Sequence, residues 1–167
     1  MPEAKTYKPE LLPRRGEYTA WALAFAAALG LYILVLRNLV PSWTWFFVAF
    51  LFFSAISISL GNWMDRHTFI QLQNDGVVFE NGLRKVRLAW DAVKEVRTFP
   101  ARWGTAVQVL GEQAHFEFNT LGEVEFRGEV RGRVGFAQGK EIMDEILRAT
   151  NLISHQKTDK YDVYTRP

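Results

Sequence analysis

Three histidines, two basic clusters and a tyrosine-bearing tail are the residues of this chain whose types invite chemistry. His67, His115 and His155 lie far apart in sequence, and none falls at a spacing that makes a metal site by itself. In His115-Phe116-Glu117 a strand would put His and Glu on one face, which also describes two polar neighbours on a solvated strand. The basic clusters are Arg84, Lys85 and Arg87, and Arg127, Arg131 and Arg133 among Gly128, Gly132 and Gly135. Basic residues near an anionic leaflet are worth about 1 kcal/mol each where the face is net positive. Here Glu80, Glu123, Glu125 and Glu129 interleave with them. In the tail, Tyr161, Val163 and Tyr164 stand in alternating polar surroundings, a pattern suited to strand addition on a neighbour, which makes them candidate partner contacts.

The inventory excludes several classes. There are no cysteines, hence no disulfides, thiol catalysis, or Cys-ligated zinc or iron–sulfur site. No glycine-rich loop leads into Lys-Ser or Lys-Thr at the offset that cradles a nucleotide. No nucleophile, base and orienting group stand out together. The expectation is a chain without catalytic residues, cofactor or metal, and not an enzyme. The formal charge is +2, and residues 61–167 hold fifteen Lys/Arg against fifteen Asp/Glu. A neutral domain argues against non-specific nucleic-acid binding, which draws on neutralised phosphates.

The elements that position these residues begin with two apolar blocks. Tyr18–Leu36 is nineteen residues without a charge, and no charge occurs between Asn38 and Met64. At about 1.5 Å per residue the first block spans roughly 28 Å as a helix, close to the hydrocarbon thickness of a bilayer. The second, from about Ser42 to Leu60, has the same length, so a transmembrane helical hairpin is expected over 18–62 after an N-terminal segment, 1–17. Nineteen apolar residues exceed the core of a usual signal peptide, so the first block is expected to be retained. Lys5, Lys8, Arg14 and Arg15 precede the first span, while Arg37 alone lies in the loop. That asymmetry predicts both termini and the remaining domain on the cytoplasmic side of the inner (cytoplasmic) membrane. Tyr18, Trp21 and Trp63 mark one interface and Trp43 and Trp45 the other. Pro41 stands where the second helix should begin. Ala22, Ala26 and Gly30, with Ser57 and Gly61, recur every four residues and are expected to close the hairpin. Neither span contains His, Asp, Glu, Lys or Arg, so neither a pigment ligand nor a proton relay is expected there.

From Phe69 onward the apolar period becomes two. Ile70 and Leu72 precede Asn74-Asp75-Gly76; Val77–Glu80 precedes Asn81-Gly82; Val86, Leu88 and Trp90 follow. Asp-Gly and Asn-Gly predict tight type I′ turns and a three-stranded meander. Asp91 is expected to cap a brief helical turn, before a strand ending near Phe99 and further strands at Thr105–Leu110 and Ala114–Phe118. Val124–Phe126 and Arg131–Phe136 are weaker strand candidates because glycines interrupt them. Lys140–Thr150 reads as an amphipathic helix with Asn151 as its C-terminal cap. Ile142, Ile146, Val86, Leu88, Trp90, Phe116 and Phe118 are expected to share one core in a domain over 66–153. The last fourteen residues, 154–167, read as a polar, exposed tail.

The stretches Ile70-x-Leu72-x-x-Asp75-Gly76-Val77, Leu88-x-Trp90-Asp91-x-Val93-x-x-Val96 and Lys140-Glu141-Ile142-x-x-Glu145-Ile146 resemble the bacterial pleckstrin-homology-like (PH-like) domain family, in its members with two N-terminal transmembrane helices. The resemblance covers about residues 68–152. It implies an α+β membrane protein: a transmembrane hairpin, then a PH-like antiparallel β-barrel closed by a C-terminal α-helix. Because PH domains outside bacteria often bind inositol phosphates through basic residues near their early strands, it also makes Arg84, Lys85 and Arg87 candidate headgroup contacts. The expected function is that of a membrane-anchored interaction module docking an unidentified membrane or membrane-proximal protein, with self-association as a further possibility. The alternatives are an accessory or assembly subunit of a larger membrane complex and, third, a sensor of anionic-lipid headgroups.

Overall fold

The computed structural model describes residues 4–158 and 161–166, with Ser154 described by its backbone alone. Residues 1–3, 159, 160 and 167, parts of the expected N-terminal segment and tail, lie outside the described residues. The chain forms two compact units, Pro13–Met64 and a second that gathers Asp65 onward together with the residues up to Leu12.

The first unit is a pair of 22-residue helices, α1 (Arg15–Leu36) and α2 (Trp45–Arg66). Glu17 lies in the first turn of α1, where a carboxylate meets the positive end of the helix dipole. Asn38 ends α1 in the left-handed region at φ 51°. Its N–H reaches the Val35 carbonyl and that of Leu39 reaches Leu34, the paired bonds of a Schellman motif. Pro41 precedes a short 3₁₀ turn, Ser42–Thr44, so α2 starts later than expected.

The expected small-residue seam is not the one the helices use. Ala22, Ala26, Gly30, Ser57 and Gly61 are exposed, and a Cβ on either glycine would meet nothing within 4 Å. The contact runs instead through Glu17, Trp21 and Ala24 on α1 and through Val48, Phe52, Ala55, Ser59 and Asn62 on α2. Trp21 Nε1 donates to Ser59 Oγ at 2.8 Å, Asn62 Nδ2 donates to Glu17 at 2.9 Å, and the Phe25 ring meets Phe52 edge-on at 5.2 Å. The α2 positions alternate four and three residues apart, which holds one face of a helix. A strict spacing of four drifts about 40° per step at 3.6 residues per turn, so it leaves the interface.

In the second unit, antiparallel strands form three sheets. The first has the order β1 (Lys5–Tyr7), β2 (Thr68–Leu72), β3 (Gly76–Asn81), β4 (Lys85–Ala89). β5 (Val93–Pro100), β6 (Thr105–Gly111) and β7 (His115–Asn119) belong to the second. A separate hairpin pairs β8 (Gly122–Phe126) with β9 (Glu129–Val134). Helix α3 (Gly139–Thr150) follows, then β10 (Ser154–Lys157) and β11 (Asp162–Thr165), which complete the second sheet in the order β10-β11-β5-β6-β7. The expected closed barrel is not seen among the described residues: a 3₁₀ turn at Trp90–Ala92 separates β4 from β5, and no pairing joins the two larger sheets. Their inner faces and α3 nonetheless share one core. Phe79 stacks on Phe116 at 5.2 Å, Ile142 and Ile146 of α3 are fully buried, and Val86, Leu88 and Phe118 lie in the same cluster.

Trp90 departs from the expected core list. It is half-buried at the rim, where Nε1 donates to the Gln73 and Asn74 carbonyls at 3.2 Å each. The indole thus ties down the β2–β3 turn. That turn has the place Asp75-Gly76 predicts but a different cause, since none of Asn74, Asp75 and Gly76 has positive φ. Gly76 is required because a Cβ there would overlap the Leu88 carbonyl oxygen across the sheet. The turn at Trp90–Ala92 exists without a side-chain cap, so Asp91 does not serve as one. At the end of α3 the expected cap is present: Asn151 has φ 54°, and Leu152, buried, donates to Leu147.

Described residues near both ends of the chain belong to sheets. β1 pairs with β2 from Lys5↔Leu72 to Tyr7↔Ile70, so residues on either side of the helical pair share one sheet. Tyr7 is buried and its hydroxyl donates to Glu141 Oε1 at 3.1 Å, while Lys5 Nζ lies 3.7 and 3.6 Å from Glu141 and Glu145. Burial, then the bond to Glu141, then the Glu141 and Glu145 charges push the Tyr7 hydroxyl from 10.0 up to about 12. The tail, expected to be exposed, contributes β10 and β11.

Two expectations follow. Phe116→Ala removes a fully buried ring and should cost about 3–5 kcal/mol, whereas Trp90→Ala, at the rim, should cost about 1–2 kcal/mol. Denaturant unfolding of the detergent-solubilised chain, followed by circular dichroism, separates them; equal losses would contradict this core. Tyr7 holds its proton more tightly folded than unfolded, so its contribution is complete below pH 10 and declines as pH rises toward about 12. Tyr7→Phe should therefore lose stability less steeply than the parent across that window, and parallel profiles would refute the hydroxyl's role.

Candidate functional site

The basic residues singled out from sequence sit on the β3–β4 hairpin. Gly82, at φ 80°, turns the chain, and the Arg84 N–H is fixed by Asn81 Oδ1 at 2.9 Å. Each cation then meets an oxygen of the chain itself. Arg84 donates to the His115 carbonyl at 2.8 Å, Lys85 lies 3.1 Å from Glu80, and Arg87 lies 2.7 Å from Asp75. Two of the three charges are thus countered by carboxylates, so this edge lacks the strongly positive face an anionic headgroup needs. In the second cluster, Arg131 pairs with Glu129 at 2.9 Å and Arg133 with Glu123 at 3.2 Å. Arg127 and Gly128 both have positive φ, 54° and 78°, as a type I′ turn between β8 and β9 demands, and the Arg127 guanidinium covers the exposed Phe126 ring.

His115 and Glu117 share the exposed face of β7, as the alternation implies, while Phe116 and Phe118 face the core. His155 lies on β10, its Nε2 3.5 Å from Asp162 and its ring stacked on Tyr164 at 4.9 Å. Among the described residues no three His, Asp or Glu side chains come together as a metal site.

The tail residues do converge, on the edge of β5. Strand β11 pairs with β5 through Asp162↔Thr98, Val163↔Arg97, Tyr164↔Val96 and Thr165↔Glu95. The strand addition that Tyr161, Val163 and Tyr164 suggest is thus made within the chain. Tyr161 meets the Phe99 ring edge-on at 6.2 Å with the Arg97 guanidinium 6.0 Å from its centroid. Beside it an open groove of about 330 Å³ is lined by Phe99, Pro100, Lys157 and Tyr161, among others. Tyr164 packs against the core, where burial, then the Asp162 and Asp144 charges, raise its hydroxyl above the ordinary value. Arg97 is held in register by its bidentate pair with Glu95, which raises its own pKa.

Sequence reasoning missed the far end of this seat. Arg166 Nη2 donates to three carbonyl oxygens, those of Trp90, Asp91 and Val93, at 3.3, 2.8 and 3.3 Å. Trp90 and Asp91 lie in the 3₁₀ turn, outside the ladder, and Val93 opens β5 just before the register shift between Val93 and Glu95. The available signal was the spacing Tyr161-x-x-Tyr164-x-Arg166, readable only once β5 is known to end beside that turn.

Replacing Arg84, Lys85 and Arg87 together with Ala should remove two exposed ion pairs and cost under about 1 kcal/mol each. It should leave binding of the detergent-solubilised chain to anionic-lipid vesicles at low salt unchanged; a clear loss of binding would restore a headgroup role for the hairpin.

Comparison with protein-family models, curated proteins and solved structures returns no match to this chain.

Proposed function

We propose that this chain is a membrane-anchored, non-enzymatic module that docks protein partners at the cytoplasmic face of the inner membrane. The feature that supports the docking part of this reading is strand addition onto β5, which in this chain its own β11 makes by main-chain pairing and by side-chain seats at both ends. Anchoring is supported by the helical pair. Its apolar windows are 6% and 11% buried, and Phe46, Phe47, Phe50 and Phe53 are all exposed, a surface that lipid accommodates and water does not. The β1–β2 pairing supports an even number of crossings, since it joins chain before α1 to chain after α2. The four Lys/Arg before α1 against Arg37 alone between the helices support the cytoplasmic side. Two antiparallel sheets over one core with a C-terminal helix packed into it support the PH-like reading of the second unit, though not as a closed barrel.

A second reading, an accessory or assembly subunit of a larger membrane complex, gains from one feature. The Ala22, Ala26 and Gly30 face points outward, unused by the hairpin. Headgroup sensing stays third, because Lys85 and Arg87 already have carboxylate partners.

Solubilisation in mild detergent, native electrophoresis and crosslinking in intact membranes test the proposal together. Crosslinked species larger than the monomer, retained by the docking module, are expected; recovery of monomer alone would defeat it. Steady co-migration with one large complex would favour the subunit reading.

A further inference from the structure

Among the described residues of the second unit, six large apolar side chains are exposed: Leu12, Leu83, Phe126, Val130, Ile153 and Tyr161. Three of them share one element. Phe126 and Val130, 57% and 52% exposed, belong to the β8–β9 hairpin, and Leu12, 39% exposed, lies along it. The hairpin is a sheet of two strands, an arrangement that is marginal in water unless something packs on it. Leu12 supplies part of that packing, covering Gly132 so closely that a Cβ there would overlap its Cδ2. At the tip, the Arg127 guanidinium lies 5.4 Å from the Phe126 ring centroid and still leaves more than half of that side chain open.

The path of the chain says what this tip is tethered to. Glu10 bridges Gly135 antiparallel, with both backbone bonds made, and Leu12 reaches Gly132. From Glu10 to Leu12 the chain therefore runs back along β9 toward the Arg127–Gly128 turn. Three residues beyond Leu12, at Arg15, α1 begins, and the uncharged block starts at Tyr18. Three residues of chain reach at most about 10 Å. The three steps from Gly132 back to Glu129 cover about 10 Å of strand. The hairpin tip and the start of the first span are thus bound to the same Leu12–Gly132 contact by short lengths of chain. Those lengths compare with a headgroup layer about 5–8 Å deep on each side of the hydrocarbon.

We infer that the tip of the β8–β9 hairpin docks in the bilayer interface: Phe126 and Val130 enter the boundary between headgroups and acyl chains, and Arg127 reaches the phosphate layer. The inference rests on the membrane-anchored reading and adds a foothold to the two spans. A lipid surface is the occupant the observations favour, because the exposed apolar pair is tethered so briefly to a span that this reading places in lipid. An arginine beside interfacial apolar side chains fits that place, since its stem lies along apolar surface while its head stays among polar groups. Charge is not the attraction. Over residues 122–134 three Glu balance three Arg, and Arg131 and Arg133 are paired with Glu129 and Glu123. Docking is therefore expected on a zwitterionic surface, which separates it from headgroup sensing by Arg84, Lys85 and Arg87.

The native chain has no cysteine, so a single introduced thiol places a label at one site. Val130→Cys, Phe50→Cys in α2 and Glu112→Cys are each labelled with an NBD fluorophore on the full chain. Each is then reconstituted in phosphatidylcholine vesicles with and without doxyl-labelled lipid. Glu112 serves as the remote site, in the β6–β7 turn at the opposite end of β7 from Asn119, whose carbonyl accepts from Phe136 just beyond β9. Doxyl lipid should quench the Val130 label several times more strongly than the Glu112 label. Phe126→Asp, which alters an exposed side chain, should bring the Val130 label down to the Glu112 level. Equal quenching at Val130 and Glu112, or no response to Phe126→Asp, would overturn the docking. Quenching that needs added anionic lipid would also overturn it, in favour of headgroup attraction. A Val130 label shielded from iodide in native membranes yet unquenched in vesicles would overturn it in favour of a protein on this face. If the Phe50 label is quenched and the Val130 label is not, only the hairpin's docking fails; if neither is quenched, the anchoring reading fails as well.

Discussion

Pairing between β1 and β2 is the contact on which the second unit depends. Three residues of β1 bring the beginning of the chain onto a sheet whose other strands all follow the two long helices. A strand this short gains little from its ladder alone, so side chains complete the attachment: Tyr7 enters the core and finds Glu141, and Lys5 lies between Glu141 and Glu145. Without β1, β2 would become an edge, with Ile70 and Leu72 losing a neighbour beside the core. The same contact turns the helical pair into an insertion between adjacent strands of one sheet, with both its ends tied to a single folded body.

Charge is distributed so that the surface of that body is nearly self-neutralising. Exposed pairs such as Arg87–Asp75, Lys94–Glu112 and Arg133–Glu123 contribute little to stability individually. Their effect is on recognition, because each leaves less net potential for an anionic partner. Arg84 and Arg166 depart from this pattern and address backbone carbonyls, whose geometry selects a donor without requiring a counter-charge.

Legibility followed the strength of local periodicity. The two apolar helices, the alternation of β2, β4 and β7 and the amphipathic α3 with its Asn151 terminus were all readable, because each repeats over enough residues to set one face. β1 was not, since Lys-Thr-Tyr is too short to show a period and its burial depends on residues far along the chain. The helix seam was misread because small residues four apart are conspicuous, whereas the contact positions mix Trp, Ala, Val, Phe and Ser. At the interaction edge, Tyr161 and Tyr164 were visible as an alternating pattern, but its acceptor was not. Which edge lies within reach is a property of topology, and the break at Trp90–Ala92 that creates the Arg166 seat leaves no simple mark in composition.

The bond between Tyr7 and Glu141 also sets an order in time. Synthesis delivers Tyr7 before, and Glu141 after, both helices and every strand from β2 to β9. The earliest segment must therefore wait for an acceptor that does not yet exist, and long-range pairing of this kind is slow to form. Closure of Tyr7 on Glu141 is accordingly among the last steps in maturing the second unit, and β1 has to stay available until α3 has formed.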